Sequence, residues 1–125
     1  MDECSKSRRE LAAQFKECQK AILAIGDETR QRIIIALLEN EQIGMRVGEI
    51  TEQTNLSRPA VSHHLRILKD AKIIAMRKKG TMNFYYIDAN ETEWGKLENL
   101  MGKVYEIVKR ASKEDYPNHS LGQEE

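Results

Sequence analysis

The chain has 125 residues, and its 20 Lys and Arg balance its 20 Asp and Glu, with 40% apolar and 32% charged residues. That length suits one domain around one core, and no apolar run approaches a membrane span. The N-terminal stretch carries no signal-peptide core and two cysteines make no disulfide framework, so a cytoplasmic, reducing setting is expected.

Residues 1–5 are expected to be a flexible N-terminus, ahead of a domain spanning 6–111. From about Lys6 to Ile25 the pattern predicts one helix. Leu11, Phe15, Cys18, Ile22 and Ile25 recur at four, three, four and three, which is a single apolar stripe. A helix this long at the end of a small domain needs a surface for that stripe. Its own core takes part, and a second subunit takes the rest. Gly26 breaks this helix and Asp27 caps the next. Residues 28–39 carry Ile33, Ile34, Ile35, Ala36, Leu37 and Leu38, apolar nearly all round, so they read as the central buried helix. Arg30 and Arg32 near its start read as surface residues, with phosphate contact as the alternative. Residues 40–45 form a loop punctuated by Gly44.

Residues 47–70 carry the strongest local signal. Val47, Ile50 and Thr54 share one face of a short helix. Asn55 adopts positive φ cheaply and can end it, and Leu56 can plug the corner. Ser57 is a good N-cap, and Pro59 falls in the first turn, where its missing N–H does no harm. A three-residue turn between two short amphipathic helices is the spacing of a helix-turn-helix. In the second helix Val61, Leu65 and Leu68 point inward, flanked by Ala60, Ile67 and Ala71. Arg58, Ser62, Arg66 and Lys69 lie opposite, with His63 on the shoulder. These are donors suited to base edges and phosphates in a major groove.

A β-hairpin follows from Ile73 to Ile87. Arg77-Lys78-Lys79-Gly80-Thr81 reads as its basic turn, with Gly80 as the hinge. A basic loop at a hairpin tip suits phosphate or a minor groove. Residues 57–79 hold seven Lys or Arg against Asp70 alone, a net +6 in a chain whose total is zero. That segregation favours a local nucleic-acid footprint over a generally basic protein. Asp88 to Asn90 end the hairpin, and Asn90 with Glu93 reads as a capping box. In the final helix Trp94, Leu97, Met101, Val104 and Val108 recur at three, four, three and four, with Leu100, Tyr105 and Ile107 beside them. Residues 112–125, with Pro117 and Gly122, read as a disordered acidic tail.

The run Leu56-Ser57, Ala60-Val61-Ser62, His64-Leu65, Leu68 and Asp70-Ala71, then a basic Gly turn and Phe84-Tyr85-Tyr86-Ile87, resembles the ArsR/SmtB family of bacterial winged-helix repressors. Upstream, Gly26-Asp27, Arg30 and Ile33 resemble the opening of that family's second helix. The likeness spans roughly Ala21 to Lys109. It implies a homodimer that binds imperfect inverted repeats and releases DNA when a metal or other signal arrives. It also implies that the first and last helices pair across the dimer axis, and that His64 ties the recognition helix down by a hydrogen bond. The family's metal sensors carry thiolates at the positions of Arg46 and Gly48. A cation and a glycine replace them, so that site is absent. The zinc-type sensors carry histidine and carboxylate ligands on the last helix. Glu91, Glu93, Glu98 and Glu106 stand there without a histidine, so the second metal site is missing too.

Cys18 reads as a small core hydrophobe. The alternative is a redox thiol. Cys4 and Cys18 on one straight helix would be roughly 21 Å apart, so a disulfide would require unwinding or a second subunit. An apolar effector between the terminal helices, lined by Met101, Trp94 and Phe15, is equally open. His63 and His64 are next neighbours on a helix, about 100° apart, and are poor co-ligands for one metal.

The sequence therefore predicts a mainly α fold with a β-hairpin wing, a winged helix-turn-helix dimerised through its first and last helices. Ser57, Arg58, Ser62, His63 and Arg66 are expected to face the major groove, and Lys69, Arg77, Lys78 and Lys79 to hold phosphate or the minor groove. The dimer interface is expected to use Leu11, Phe15, Cys18, Ile22, Trp94, Leu97, Met101, Val104 and Val108. The expected partners are double-stranded DNA, a second copy, and a small-molecule or redox effector, with no cofactor, metal or membrane. There is no nucleophile–base pair, Gly-rich phosphate loop or metal cluster, so an enzyme is not expected. Two alternatives stand beside a DNA-binding repressor: a thiol-based redox repressor using Cys18 or Cys4, and a winged helix that binds protein without DNA.

Overall fold

Ile33, Ile50, Val61, Leu65, Leu68, Ile73 and Ile74, each with less than 2% of its surface exposed, form the centre around which the chain folds. They come from three helices and the root of a hairpin, and burying each such side chain contributes about 1.5–3 kcal/mol. The computed structural model describes residues 3–88 and 92–114. Its elements are α1 (Glu3–Glu17), α2 (Gln19–Ile25), α3 (Glu28–Glu39), α4 (Val47–Thr54), α5 (Arg58–Asp70), β1 (Ile74–Lys79), β2 (Met82–Ile87) and α6 (Thr92–Glu114). The chain divides into two compact units. One is Cys18–Trp94; the other holds α1 and the part of α6 from Gly95 onward.

Within the Cys18–Trp94 unit, α3, α4 and α5 pack on one another, β1 rests on α5, and β2 on α3 and α4. The strands pair antiparallel from Ile74 with Ile87 to Lys79 with Met82. Gly80 opens the two-residue turn between them at φ 65°, as a Gly-first hairpin turn requires. A single residue extends the sheet: Met45 exchanges two 2.8 Å backbone hydrogen bonds with Tyr85. Gly44 makes that approach possible. Its φ is 98°, and a Cβ there would lie 3.0 Å from the Phe84 Cβ.

Three boundaries differ from the sequence expectation. The helix predicted over 6–25 is two helices, and the first already begins at Glu3, inside the stretch expected to be loose. The break falls at Cys18, which is 3% exposed in the core while Phe15 stays 43% exposed. On one straight helix these residues, three apart, would share a face; the break lets the halves bury different faces. Second, α3 is not buried all round. Ile33, Ile34, Ala36 and Leu37 face its neighbours, but Ile35 and Leu38 are exposed. Third, α6 runs through Glu114, into the stretch expected to be tail. Residues 115–125 and Asn90, with its expected capping box, lie outside the described residues.

Candidate nucleic-acid interface

The corner between α4 and α5 is built by local chemistry. Asn55 ends α4 in the left-handed conformation, with φ 60° and ψ 32°. The Ser57 hydroxyl caps α5 by accepting from the Ala60 amide at 3.2 Å, and Pro59 sits in the first turn. Val61, Leu65 and Leu68 are buried. Arg58, Ser62, His63, Arg66 and Lys69 are all exposed. Among the described residues, Arg58 and Arg66 have no hydrogen-bond or ion-pair partner, so their donors are open to solvent. The structure gathers Arg58 with the hairpin residues Thr81, Met82 and Asn83 around one groove, which places the start of α5 beside the wing tip. Lys69, eleven positions on, lies about 16 Å further along the axis and is not part of that gathering.

The recognition helix is anchored from behind by residues that the sequence pattern assigns to the surface. The last three carbonyls of α2 have no intrahelical partner, and α3 supplies them all. Arg30 donates from Nε to the Ala24 carbonyl at 2.7 Å and from Nη2 to the Leu23 carbonyl at 3.3 Å. Gln31 donates to Ile25 at 2.9 Å. Arg32 donates to the Thr54 carbonyl at the end of α4. So Arg30 and Arg32 close helix ends, where a guanidinium also meets the negative end of the dipole. No local sequence signal marks this role. Only the proximity of the helix ends does.

Arg30 also reaches His64 on α5, Nη1 to Nδ1 at 3.2 Å. A guanidinium can only donate, so Nδ1 accepts and the ring is neutral. Burial pushes the His64 pKa below its ordinary value, opposed by the charge of Asp27 and reinforced by Arg30 and His63. Asp27 itself caps α3 through the Arg30 amide at 2.9 Å, and that bond holds its carboxyl below the usual range. The hydrogen bond expected of His64 is thus present, with Arg30 as its partner.

The wing differs from its expectation in one respect. Arg77, Lys78 and Lys79 are residues of β1, and only Gly80 and Thr81 make the turn. Alternation along a strand sends Arg77 and Lys79 to one face and Lys78 to the other. Arg77 lies 5.9 Å over the Tyr86 ring and donates to the Ile43 carbonyl at 3.4 Å, so it braces the hairpin. Lys78 and Lys79 are exposed and, among the described residues, without a partner.

Of the residues expected at a dimer interface, Phe15, Met101 and Val108 are exposed, and Leu11, Ile22, Leu97 and Val104 are half-buried. Tyr105, outside that set, is 59% exposed between Met101 and Val108 at helical spacing. Two members leave the set. Cys18 is buried in its own unit and has almost no surface to offer a partner. The indole of Trp94 donates to the Ile73 carbonyl at 3.0 Å, so it is docked at home. Cys18 is a free thiol. The backbone of Cys4 lies in α1, about 20 Å from the end of that helix. No group of three or more His, Cys, Asp or Glu among the described residues could hold a metal ion. Arg46 and Gly48 open α4, with the Glu49 carboxylate accepting from the Arg46 amide at 2.9 Å.

A family model for bacterial regulatory proteins of the arsR family matches residues 27–75. The HTH-type transcriptional regulator MJ1325 of Methanocaldococcus jannaschii is 42% identical over 73 residues, which span 58% of this chain and 80% of that protein. The chain belongs to the ArsR family. Another relative is the transcriptional repressor SdpR of Bacillus subtilis, 40% identical over 52% of this chain and 69% of its own length. The solved structure of reduced HlyU from Vibrio cholerae matches with a TM-score of 0.59 at 26% identity, over 78% of this chain and 97% of that one. The fold is the family's winged helix-turn-helix, and its members are DNA-binding transcriptional regulators rather than enzymes.

Proposed function

We propose that this ArsR-family protein is a homodimeric repressor that binds an inverted-repeat operator and leaves it when an effector arrives. The observation that carries this reading is the open face of α5. Arg58, Ser62, His63 and Arg66 stand exposed on it, two guanidiniums there lack any partner among the described residues, and the wing cations Lys78 and Lys79 share their sign. In this reading Ser57, Arg58, Ser62, His63 and Arg66 face the major groove, Lys78 and Lys79 meet phosphate or the minor groove, and Lys69 meets phosphate from the far end of α5. Arg77 steadies the wing. A winged helix that binds only protein would not need this segregated charge.

Dimerisation through α1 and α6 is supported by the apolar row of Met101, Tyr105 and Val108, exposed in the single chain. Leu11, Phe15, Ile22, Leu97 and Val104 complete the proposed interface. Repression is supported by SdpR, named a repressor, although a relative of 32% identity, HlyU, is named an activator. A cytoplasmic site of action agrees with the absence, among the described residues, of a helix long and apolar enough to cross a membrane. The effector is then a small molecule or an oxidant, the latter acting on Cys18 only after the core opens.

A fluorescence-anisotropy titration of DNA from upstream of the protein's own gene tests the reading, with reduced and with mildly oxidised protein. Tight, salt-sensitive binding in the reduced state is expected, by a species sedimenting at twice the chain mass. Loss of binding on oxidation assigns the switch to the cysteines; equal binding assigns it to a non-redox ligand. No binding in either state would overturn the DNA reading.

A further inference from the structure

A groove of about 300 Å³ lies between α2, the first turn of α3 and the last turn of α5. All of it belongs to the Cys18–Trp94 unit. Its volume is at the small end of the range for ligand pockets. Most of its wall is apolar, with Leu23 and Ala24 from α2, and Ile67 and Ala71 from α5 and its C-cap. Leu23 is 71% exposed, so it has apolar surface left to bury.

The charged groups of the wall are Lys20, Arg30 and Asp70, two cations against one carboxylate. Lys20 and Asp70 are exposed, and among the described residues neither has a hydrogen-bond or ion-pair partner. Arg30 reaches the Ala24 carbonyl, the Leu23 carbonyl and His64. A guanidinium carries more N–H groups than these three bonds use. Its bond to Leu23 is the longest of them, 3.3 Å, and lies at the surface.

We propose that this groove binds a small apolar carboxylic acid. The carboxylate meets Lys20 and the uncommitted edge of Arg30, and the hydrocarbon body covers Leu23 and Ile67. An apolar wall calls for an apolar body, and the excess cation calls for an anionic head. The proposal deepens the reading that an effector releases the operator, and depends on it only for the release step. Arg30 ties both the end of α2 and His64 of the recognition helix. An acid that draws on this guanidinium therefore acts on the seat of α5. A ligand shifts a protein between two arrangements only by binding them unequally, and the shared Arg30 supplies that inequality.

Calorimetric titration of the full chain, without DNA, with decanoate and with decanol tests the site. Decanoate is expected to bind wild type. Leu23→Glu removes apolar cover and adds an anion, and should weaken decanoate about tenfold or more. Lys20→Gln should weaken decanoate about two- to fivefold and leave decanol unchanged. Asp70→Asn removes a repelling carboxylate and should tighten decanoate by a similar factor. All three side chains are exposed, so the melting temperatures should stay at the wild-type value. No binding to wild type, equal binding to Leu23→Glu, or an equal loss of decanol and decanoate in Lys20→Gln would overturn the site. Release is read separately, by anisotropy with the upstream duplex. Saturating decanoate should raise its Kd about fivefold or more, and the duplex should weaken decanoate by the same factor. An unchanged Kd would overturn the effector role. Decanoate binding by a chain that binds no DNA would support the site while removing the operator reading.

Discussion

Helices α3 and α5 each carry two arginines, and they use them in opposite ways. Arg30 and Arg32 of α3 lie back along the protein and close the ends of α2 and α4, although Arg32 stays exposed. Arg58 and Arg66 of α5 turn out and, among the described residues, meet no acceptor. Charge and spacing in the sequence do not distinguish the two pairs. The difference lies in whether an orphan carbonyl is within reach. A guanidinium next to the end of another helix satisfies that end first, and only one with no such neighbour is left for a phosphate or a base.

Crossed substitutions should separate the two roles. Arg30→Ala removes two carbonyl caps and the tie to His64. It should lower unfolding stability by about 1.5–3 kcal/mol in a denaturant titration. Arg66→Ala should leave that titration unchanged and weaken operator binding by about 1–3 kcal/mol if it makes a bidentate base contact. If Arg66→Ala destabilised the fold, or Arg30→Ala left it untouched, the division between the helices would be wrong.

The end of α5 provides a smaller test, because no arginine closes it. Its own backbone does, Ile73 donating to Leu68 at 3.0 Å and Lys72 to Lys69 at 2.9 Å. This arrangement places Lys72 in the left-handed region at φ 63°. The conformation costs about 1–2 kcal/mol for a residue with a Cβ, while glycine forfeits about 0.5–1 kcal/mol in chain entropy. Lys72→Gly should therefore raise stability by up to about 1.5 kcal/mol. A drop would mean that the lysine's attraction to the helix dipole outweighs its backbone strain.

The last test concerns the contact between the two helices. His64 has its pKa lowered in the folded chain, chiefly by burial, from an ordinary value of 6.5. As pH falls below 6.5 the unfolded chain takes up the proton first. The His64 contribution is thus fully present above 6.5 and is lost as pH drops through the lower folded value. His64→Gln, which can still accept from Arg30 but does not titrate, should flatten the dependence of the denaturation midpoint on pH over that interval. An unaltered profile would remove His64 as its source.

The sequence by itself determined the features that depend on a residue and its nearest neighbours. Asn55 ends α4, Ser57 caps α5, Gly80 turns the hairpin, and Val61, Leu65 and Leu68 face inward, because left-handed φ, capping hydroxyls and helical period are local properties. The outward face of α5 follows from the same period, so most of the candidate interface is legible in the residues alone. Only the tertiary structure decided the rest. It set Arg30 and Arg32 on the ends of neighbouring helices and Arg77 on the Ile43 carbonyl, left Ile35 and Leu38 exposed, placed Cys18 at a helix break in the core, and brought Arg46 and Arg58 together beside the wing. Each of these depends on which backbone groups and surfaces from distant parts of the chain arrive at the same place, and neither spacing nor composition encodes that meeting.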